Sequence, residues 1–211
     1  MGELRVRDVS EGELLRRILG VLGPSSRAEI GPGDDAAVIV VPGGRVVATT
    51  DTLVHGPDFR LAWTSPYDLG FKAAAVNLAD IAAMGATPTA LLVALALPGD
   101  LAASFVDDLA AGFRDALDEL APECAVEGGD LTVSDTLTVA VTALGVLDRV
   151  TAVRRSGAGV GDDVAIAGEL GAAARGLRLL FTRFRDDAGT PIPVDASTLS
   201  EADHHGGVPF V

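Results

Sequence analysis

A chain of 211 residues with 48% apolar residues can build one large domain, or one and a half smaller ones, around a real core, and general disorder is excluded. A formal net charge of −14 excludes attraction to nucleic-acid phosphates through the overall field. Aromatics at 4%, with the apolar mass in Ala, Val and Leu, favour close packing of helices on sheets over an aromatic-lined groove for sugars or single strands. The single Cys124 excludes an internal disulfide and a Cys-built zinc site, and reads as a small buried hydrophobe. Residues 1–7 are polar and charged, unlike a secretion signal, and the longest apolar stretch, 90–97, is too short to span a bilayer. A cytoplasmic protein without membrane or nucleic-acid partners is expected.

Ser10-Glu11-Gly12-Glu13 is a capping box that opens a helix to about residue 22, with Leu14, Leu15, Ile18, Leu19 and Leu22 on one face. Gly23-Pro24 stops it. Residues 36–41 and 45–50 are β-branched-rich runs joined by Pro42-Gly43-Gly44 and read as a hairpin. Such a hairpin sets Asp35, at the entry of its first strand, beside Asp51, at the exit of its second. Ser65-Pro66-Tyr67-Asp68 supplies an N-cap, a first-turn proline and an acid at the positive helix end. The helix it opens runs to about Met84, where Gly85 ends it.

Asn77 and Asp80 are three apart and share a face of that helix, among small neighbours such as Ala73, Ala74 and Ala83. Residues 88–97 form a strand and 101–120 an amphipathic helix with a solvated acidic face. Residues 124–127 form a short strand that delivers Gly128-Gly129-Asp130, and 137–147 a long strand. A second domain starts near 151 with a glycine-rich basic loop around Arg154-Arg155. A strand at 164–167 and a helix at 171–181 follow it. One strand and one helix cannot close a core. Beyond Asp186 the chain, including His204-His205, has no periodic pattern and reads as irregular.

Each aspartate motif alone is weak, because Asx residues favour turns for local reasons. Gly33-Asp34-Asp35 is close to an even choice between turn and site. Asp80 has no capping role in its Ala-rich helix. His55 reads as a loop residue sooner than a ligand. Converging carboxylates repel unless a cation lies between them. Hard oxygen donors without a Cys or His cluster suit Mg²⁺, which brings nucleotide phosphate with it. The residues therefore point to a Mg²⁺-dependent ATP enzyme. Neither a Walker-type loop nor a protein-kinase loop is present, so the architecture is a different one.

The succession Gly33-Asp34-Asp35-Ala36-Ala37-Val38, Thr49-Thr50-Asp51, Asp68-Leu69-Gly70-Phe71-Lys72-Ala73, Asn77-Leu78-Ala79-Asp80-Ile81-Ala82-Ala83-Met84-Gly85-Ala86, Gly128-Gly129-Asp130 and Arg155-Ser156-Gly157-Ala158 closely resembles the thiamine-monophosphate kinase family. That family belongs with aminoimidazole ribonucleotide synthetase, selenophosphate synthetase and a hydrogenase maturation factor. The resemblance covers residues 10 to about 182.

It implies an α/β (α+β) fold. An N-terminal sheet-and-helix domain over 1–150 would bind ATP and metal and dimerise into a shared barrel. An incomplete second α/β domain, 151–211, would follow, irregular after about 186. It implies several Mg²⁺ ions on Asp35, Asp51, Asp80 and Asp130, with Thr49 and Thr50 adding oxygens. Gly129, Asp130 and Arg155 would contact ATP. The implied reaction is direct in-line transfer from ATP to thiamine monophosphate, giving thiamine diphosphate, with no enzyme nucleophile and with a homodimer as the assembly.

Two departures stand out. Asp58 precedes Phe59 where the family often has His, which places Asp58 at the substrate contact. The family's later Asp-x-Ser-Asp-Gly and Gly-Gly-Glu-Asp-Tyr-like motifs do not occur, so the expectation is a C-terminally truncated or frameshifted chain. The alternatives are an ATP-dependent synthetase of the same superfamily and a nucleotide-binding, dimerising fragment without catalysis.

Overall fold

The computed structural model describes residues 4–23, 28–30, 38–39, 45–147, 151–154 and 157–194. Its elements run α1 (Glu11–Leu22), β1 (Ala28–Ile30), β2 (Val38–Ile39), β3 (Val46–Val54), α2 (Pro66–Ala83), β4 (Thr87–Leu97), α3 (Ser104–Leu120), β5 (Ala125–Val133), β6 (Thr138–Val146) and α4 (Ala172–Arg183). The fold is mixed α/β.

Local sequence sets the helix ends. Ser10 accepts a hydrogen bond from the Glu13 amide at 3.3 Å, and Ser65 one from the Asp68 amide at 3.1 Å. Each satisfies an amide that the first helical turn leaves open. Gly23 (φ 78°) and Gly85 (φ 74°) follow α1 and α2 in the left-handed region where glycine costs least.

β3, β6, β4 and β5 lie side by side in that order. β3–β6 and β6–β4 are antiparallel, while β4–β5 is parallel and is bridged by α3 as its crossover. Side chains alternate across a strand, so the register assigns two faces. Val139, Val141 and Ala143 of β6 and Leu91, Leu95 and Leu97 of β4 are buried with Leu69, Ala73, Ile81, Leu109 and Phe113 of the helices. On the other face Ala48, Thr50, Thr52 and Ala94 are exposed, and Thr142 and Leu144 half-buried.

The two core helices touch backbone to backbone. A Cβ on Gly70 would lie 2.1 Å from the Leu109 carbonyl oxygen, and one on Gly112 2.0 Å from that of Tyr67. The pair forms a reciprocal notch that only hydrogen side chains fit. α1 docks on α3 through Leu14, which is buried, and an Arg17–Asp107 ion pair.

Several sequence expectations change. The hairpin expected between 36–41 and 45–50 is not formed by the described residues: β2 pairs with β1, and β3 pairs with β6 over nine partnered residues. That long ladder outweighs the local Pro-Gly-Gly turn signal. β3 extends to Val54, so Asp51 lies inside the strand, not at its exit. Gly128-Gly129-Asp130 likewise lies within β5. The register moves from Leu91↔Val126 to Leu92↔Gly128, which leaves the fully buried Glu127 as the extra residue of a bulge. Residues 164–167 make no strand; Val164 and Ile166 are exposed, with no described neighbour offering a ladder. Leu15 is exposed as well.

Candidate active site

α2 and β3 build the centre of the site. Period-two alternation puts Thr49 and Asp51 on the face of β3 that α2 covers. Asp80, near the C-terminal end of α2, reaches that edge, and the Thr49 hydroxyl donates to its Oδ2 at 3.1 Å. Asp80 is exposed and Asp51 half-buried, so both carboxylates keep access to solvent. Asn77, one turn earlier, diverges from Asp80. It is buried, its Nδ2 donates to Ala73 O at 2.9 Å, and its Oδ1 has no partner among the described residues.

Thr50 points to the opposite face. Its hydroxyl donates to Val141 O at 2.9 Å and accepts from the Thr142 hydroxyl at 3.2 Å.

Asp130 stands apart. The row of partners runs Asp51, Val141, Val93, Gly129, and Asp130 pairs with Ala94 on the next row. Asp51 and Asp130 are thus three strands apart, roughly 14 Å at the usual strand spacing, on opposite faces of one sheet. Gly129 is required by packing: a Cβ there would lie 1.8 Å from Val93 O. Asp58 accepts from the Val54 amide through Oδ2 at 2.8 Å, which fixes the turn after β3. His55 stacks edge-on against Phe59 at 5.5 Å, as a loop residue would. Asp34, Asp35, Arg155 and His204-His205 lie outside the described residues.

Among the described residues no three His, Cys, Asp or Glu side chains form a group able to hold a metal ion. The Thr49–Asp80–Asp51 edge supplies only hard oxygen donors, which is the chemistry Mg²⁺ requires. It fits as part of a cage.

Sequence reasoning missed the cluster of Trp63, Leu180 and Phe184, through which α4 sits on the loop after β3. The signal was available: Arg60 and Trp63 are three apart, and Phe181 lies on α4, but nothing in the pattern says that the two segments meet.

Residues 33–147 match the AIR synthase related protein, N-terminal domain, and the chain belongs to that family. Within it, the chain is 42% identical over 159 residues to the thiamine-monophosphate kinase of Mycobacterium tuberculosis, covering 75% of this chain and 47% of the relative. It is similar in structure to thiamine-monophosphate kinase from Stenotrophomonas maltophilia, with a TM-score of 0.69, 38% identity, 81% of this chain and 53% of that chain. It is also similar to AaThiL complexed with AMPPCP and TMP, with a TM-score of 0.60, 31% identity, 85% of this chain and 55% of that chain. The chain spans about half the length of the curated relatives it matches.

Proposed function

We propose that this chain carries the ATP- and metal-binding unit of a thiamine-monophosphate kinase, which phosphorylates thiamine monophosphate with ATP to give thiamine diphosphate. The observation that carries the reading is the Thr49–Asp80 contact beside Asp51, in a chain 42% identical over 159 residues to such a kinase. Residues 1–150 are read as the binding and dimerisation domain and 151–211 as the start of a second.

Asp51 and Asp80 with Thr49, joined by Asp35, are the residues that would hold Mg²⁺ at this edge, while Asp130 and Thr50, on the other face of the sheet, would serve a separate ion. When bound, the metal supplies charge neutralisation and alignment for in-line transfer. The chain's own residues have separate tasks. Thr49 fixes one Asp80 oxygen. The backbone at Gly129 and Asp130 and the Arg155 guanidinium would meet the triphosphate, the guanidinium in bidentate fashion. Asp58 anchors the acceptor loop through Oδ2 and would meet the substrate through Oδ1. Because the acceptor is already a phosphate anion, no enzyme nucleophile is needed, and catalysis is positioning.

The half-length span favours a second reading of the chain by itself, as a nucleotide-binding unit in which turnover needs the remainder of a longer relative.

Asp80→Asn is the test. The amide keeps the volume and the Thr49 hydrogen bond but removes the charge. MgATP binding by calorimetry is expected to disappear while the metal-free melting temperature holds or rises slightly, since like-charge repulsion is relieved. Parent-like MgATP affinity in the mutant sinks the assignment.

The open sheet face supports a homodimer. Thr50, Thr52, Ala94 and Ala140 present small, uncharged surface there. Light scattering at micromolar concentration is expected to give twice the chain mass, and a monomer at that concentration refutes the assembly. A cytoplasmic location is proposed with the kinase reading; no described helix is long and apolar enough to cross a membrane.

A further inference from the structure

Two arginines from distant parts of the chain meet on one aromatic ring. The Arg60 guanidinium carbon lies 4.9 Å from the Phe181 ring centroid and 5.1 Å from that of Trp63. The Arg185 guanidinium carbon lies 4.3 Å from the same Phe181 centroid. Trp63 and Phe181 stand edge to face at 5.1 Å. The platform is anchored, because the Trp63 indole N–H is shared between Phe184 O at 3.3 Å and Ile192 O at 3.1 Å.

Neither guanidinium is paired with a carboxylate among the described residues, whereas Arg16, Arg17 and Arg114 each are. In a chain of net charge −14, two cations on one ring without a carboxylate partner among the described residues are unexpected. The neighbouring Asp186 makes no ion pair with either among the described residues and is engaged in its own turn. Its Oδ1 accepts from the Ala188 amide at 3.0 Å and the Thr190 amide at 2.7 Å. Arg185 Nε is moreover buried without an acceptor.

A guanidinium stacked on a ring uses its face and keeps its edge N–H groups for oxygen acceptors. Burial of one edge removes the water that would otherwise screen the charge. Two such forks on one anchored platform have the donors and the charge that an oxyanion needs. We propose that Arg60 and Arg185 form an oxyanion-binding site, for a phosphate or carboxylate group, on the Trp63–Phe181 platform. An anion there bridges the loop after β3 to the segment after α4. The inference stands apart from the kinase reading and does not use its metal or nucleotide residues.

Trp63 is the only tryptophan in the chain, so its fluorescence reports on the site directly. The chain is titrated with inorganic phosphate in metal-free buffer at constant ionic strength set by chloride, with acetate as the carboxylate arm. A saturable change is expected with phosphate, together with a phosphate-dependent rise in melting temperature. Saturation by acetate alone assigns the same site to carboxylates. Arg60→Gln and Arg185→Gln are each expected to weaken binding about tenfold or more, as loss of a charged hydrogen-bond donor does. Arg178→Gln, an equal charge change on exposed α4 surface, leaves it unchanged. Arg185→Lys, a milder change, falls in between, because it keeps the charge and loses the fork. Equal responses to phosphate, acetate and chloride overturn the proposal. So does a phosphate response that survives in both glutamine variants, or one lost equally in Arg178→Gln.

Discussion

Residues 45–147 and residues 151–194 have opposite relations to the core. In the first region every second residue of β6 from Val139 to Gly145 is buried, as are Thr89, Leu91, Leu95 and Leu97 of β4, and Leu69, Ile81, Leu91, Leu97 and Val139 are each 0% exposed. In the second, Val160, Val164, Ile166 and Leu170 are exposed, and among its described residues only Gly176, Leu180 and Phe184 are buried. The second region is not short of apolar residues; it is short of a second layer against which to bury them. Ala152 packs against the core and the Val153 amide donates to Met84 O at 3.0 Å, and three further contacts order the segment beyond. One is the Trp63 cluster, another the short bridge of Arg185 with Pro191, and the third the turn capped by Asp186. Stability in this chain therefore follows layer packing, with composition secondary.

The strongest way to break the comparison is at the α2–α3 notch. Gly112→Ala places a methyl 2.0 Å from the Tyr67 carbonyl oxygen, where neither backbone can yield without separating the helices. A loss of about 3 kcal/mol of global stability is expected, at the upper end of overpacking effects. Urea denaturation measures it. Gly20→Ala is the control: nothing lies within 4 Å of its Cβ, and in an exposed helix the exchange is expected to gain about 0.5 to 1 kcal/mol. Equal effects at the two glycines refute the notch.

The first region was largely legible in the sequence because its signals are local. Ser10, Ser65, Pro66 and Gly85 act within one helical turn of themselves, and each helix end they predict is present. The aspartates of the candidate site were legible as residue types. Their placement was not, because it depends on which strand lies beside which. Residues 45–50 carry an equally good pattern for pairing with 36–41 or with β6, and only the longer ladder decides between them. The bulge at Glu127 belongs to the same class: it adds one residue to the β5 side of the β4–β5 pairing, and no local motif announces it. Asp58 shows a further limit. Its type suggests a contact with substrate, yet one of its oxygens holds the Val54 amide.

A smaller effect sharpens the comparison from the other side. Trp63→Phe keeps the ring volume close and deletes the N–H shared by Phe184 O and Ile192 O. The expected cost is about 1.5 kcal/mol, the scale of a lost buried hydrogen bond with its acceptors left open. It should be confined to residues 172–194. Hydrogen exchange of α4 amides is expected to speed up while β4 and β6 amides keep their protection. Uniform loss of protection across the sheet shows instead that α4 folds as one unit with the core.

The smallest expected effect lies on the exposed rim of the packed region, where Tyr67 of α2 donates to Asp115 of α3 at 3.0 Å. The Asp115 carboxyl is held below its ordinary range, first by the hydrogen bond from Arg114 and then by that from Tyr67. The Tyr67 phenol is pushed up, chiefly because its hydrogen bond to Asp115 favours the protonated form. The signs follow from linkage. A depressed carboxyl contributes above its unfolded pKa and is lost as pH falls through the lower folded value. A raised phenol contributes below its unfolded pKa and is lost as pH climbs through the higher folded value. Tyr67→Phe removes the alkaline edge and weakens the acid one, which Arg114 still holds. Because the pair is solvent-exposed, screening leaves little of this in overall stability, and the measurable quantity is the titration itself. Carbon NMR of the Asp115 carboxyl is expected to show its midpoint moving upward in Tyr67→Phe and further upward in Arg114→Gln. The reverse order makes the tyrosine, and so the α2–α3 rim contact, the dominant partner.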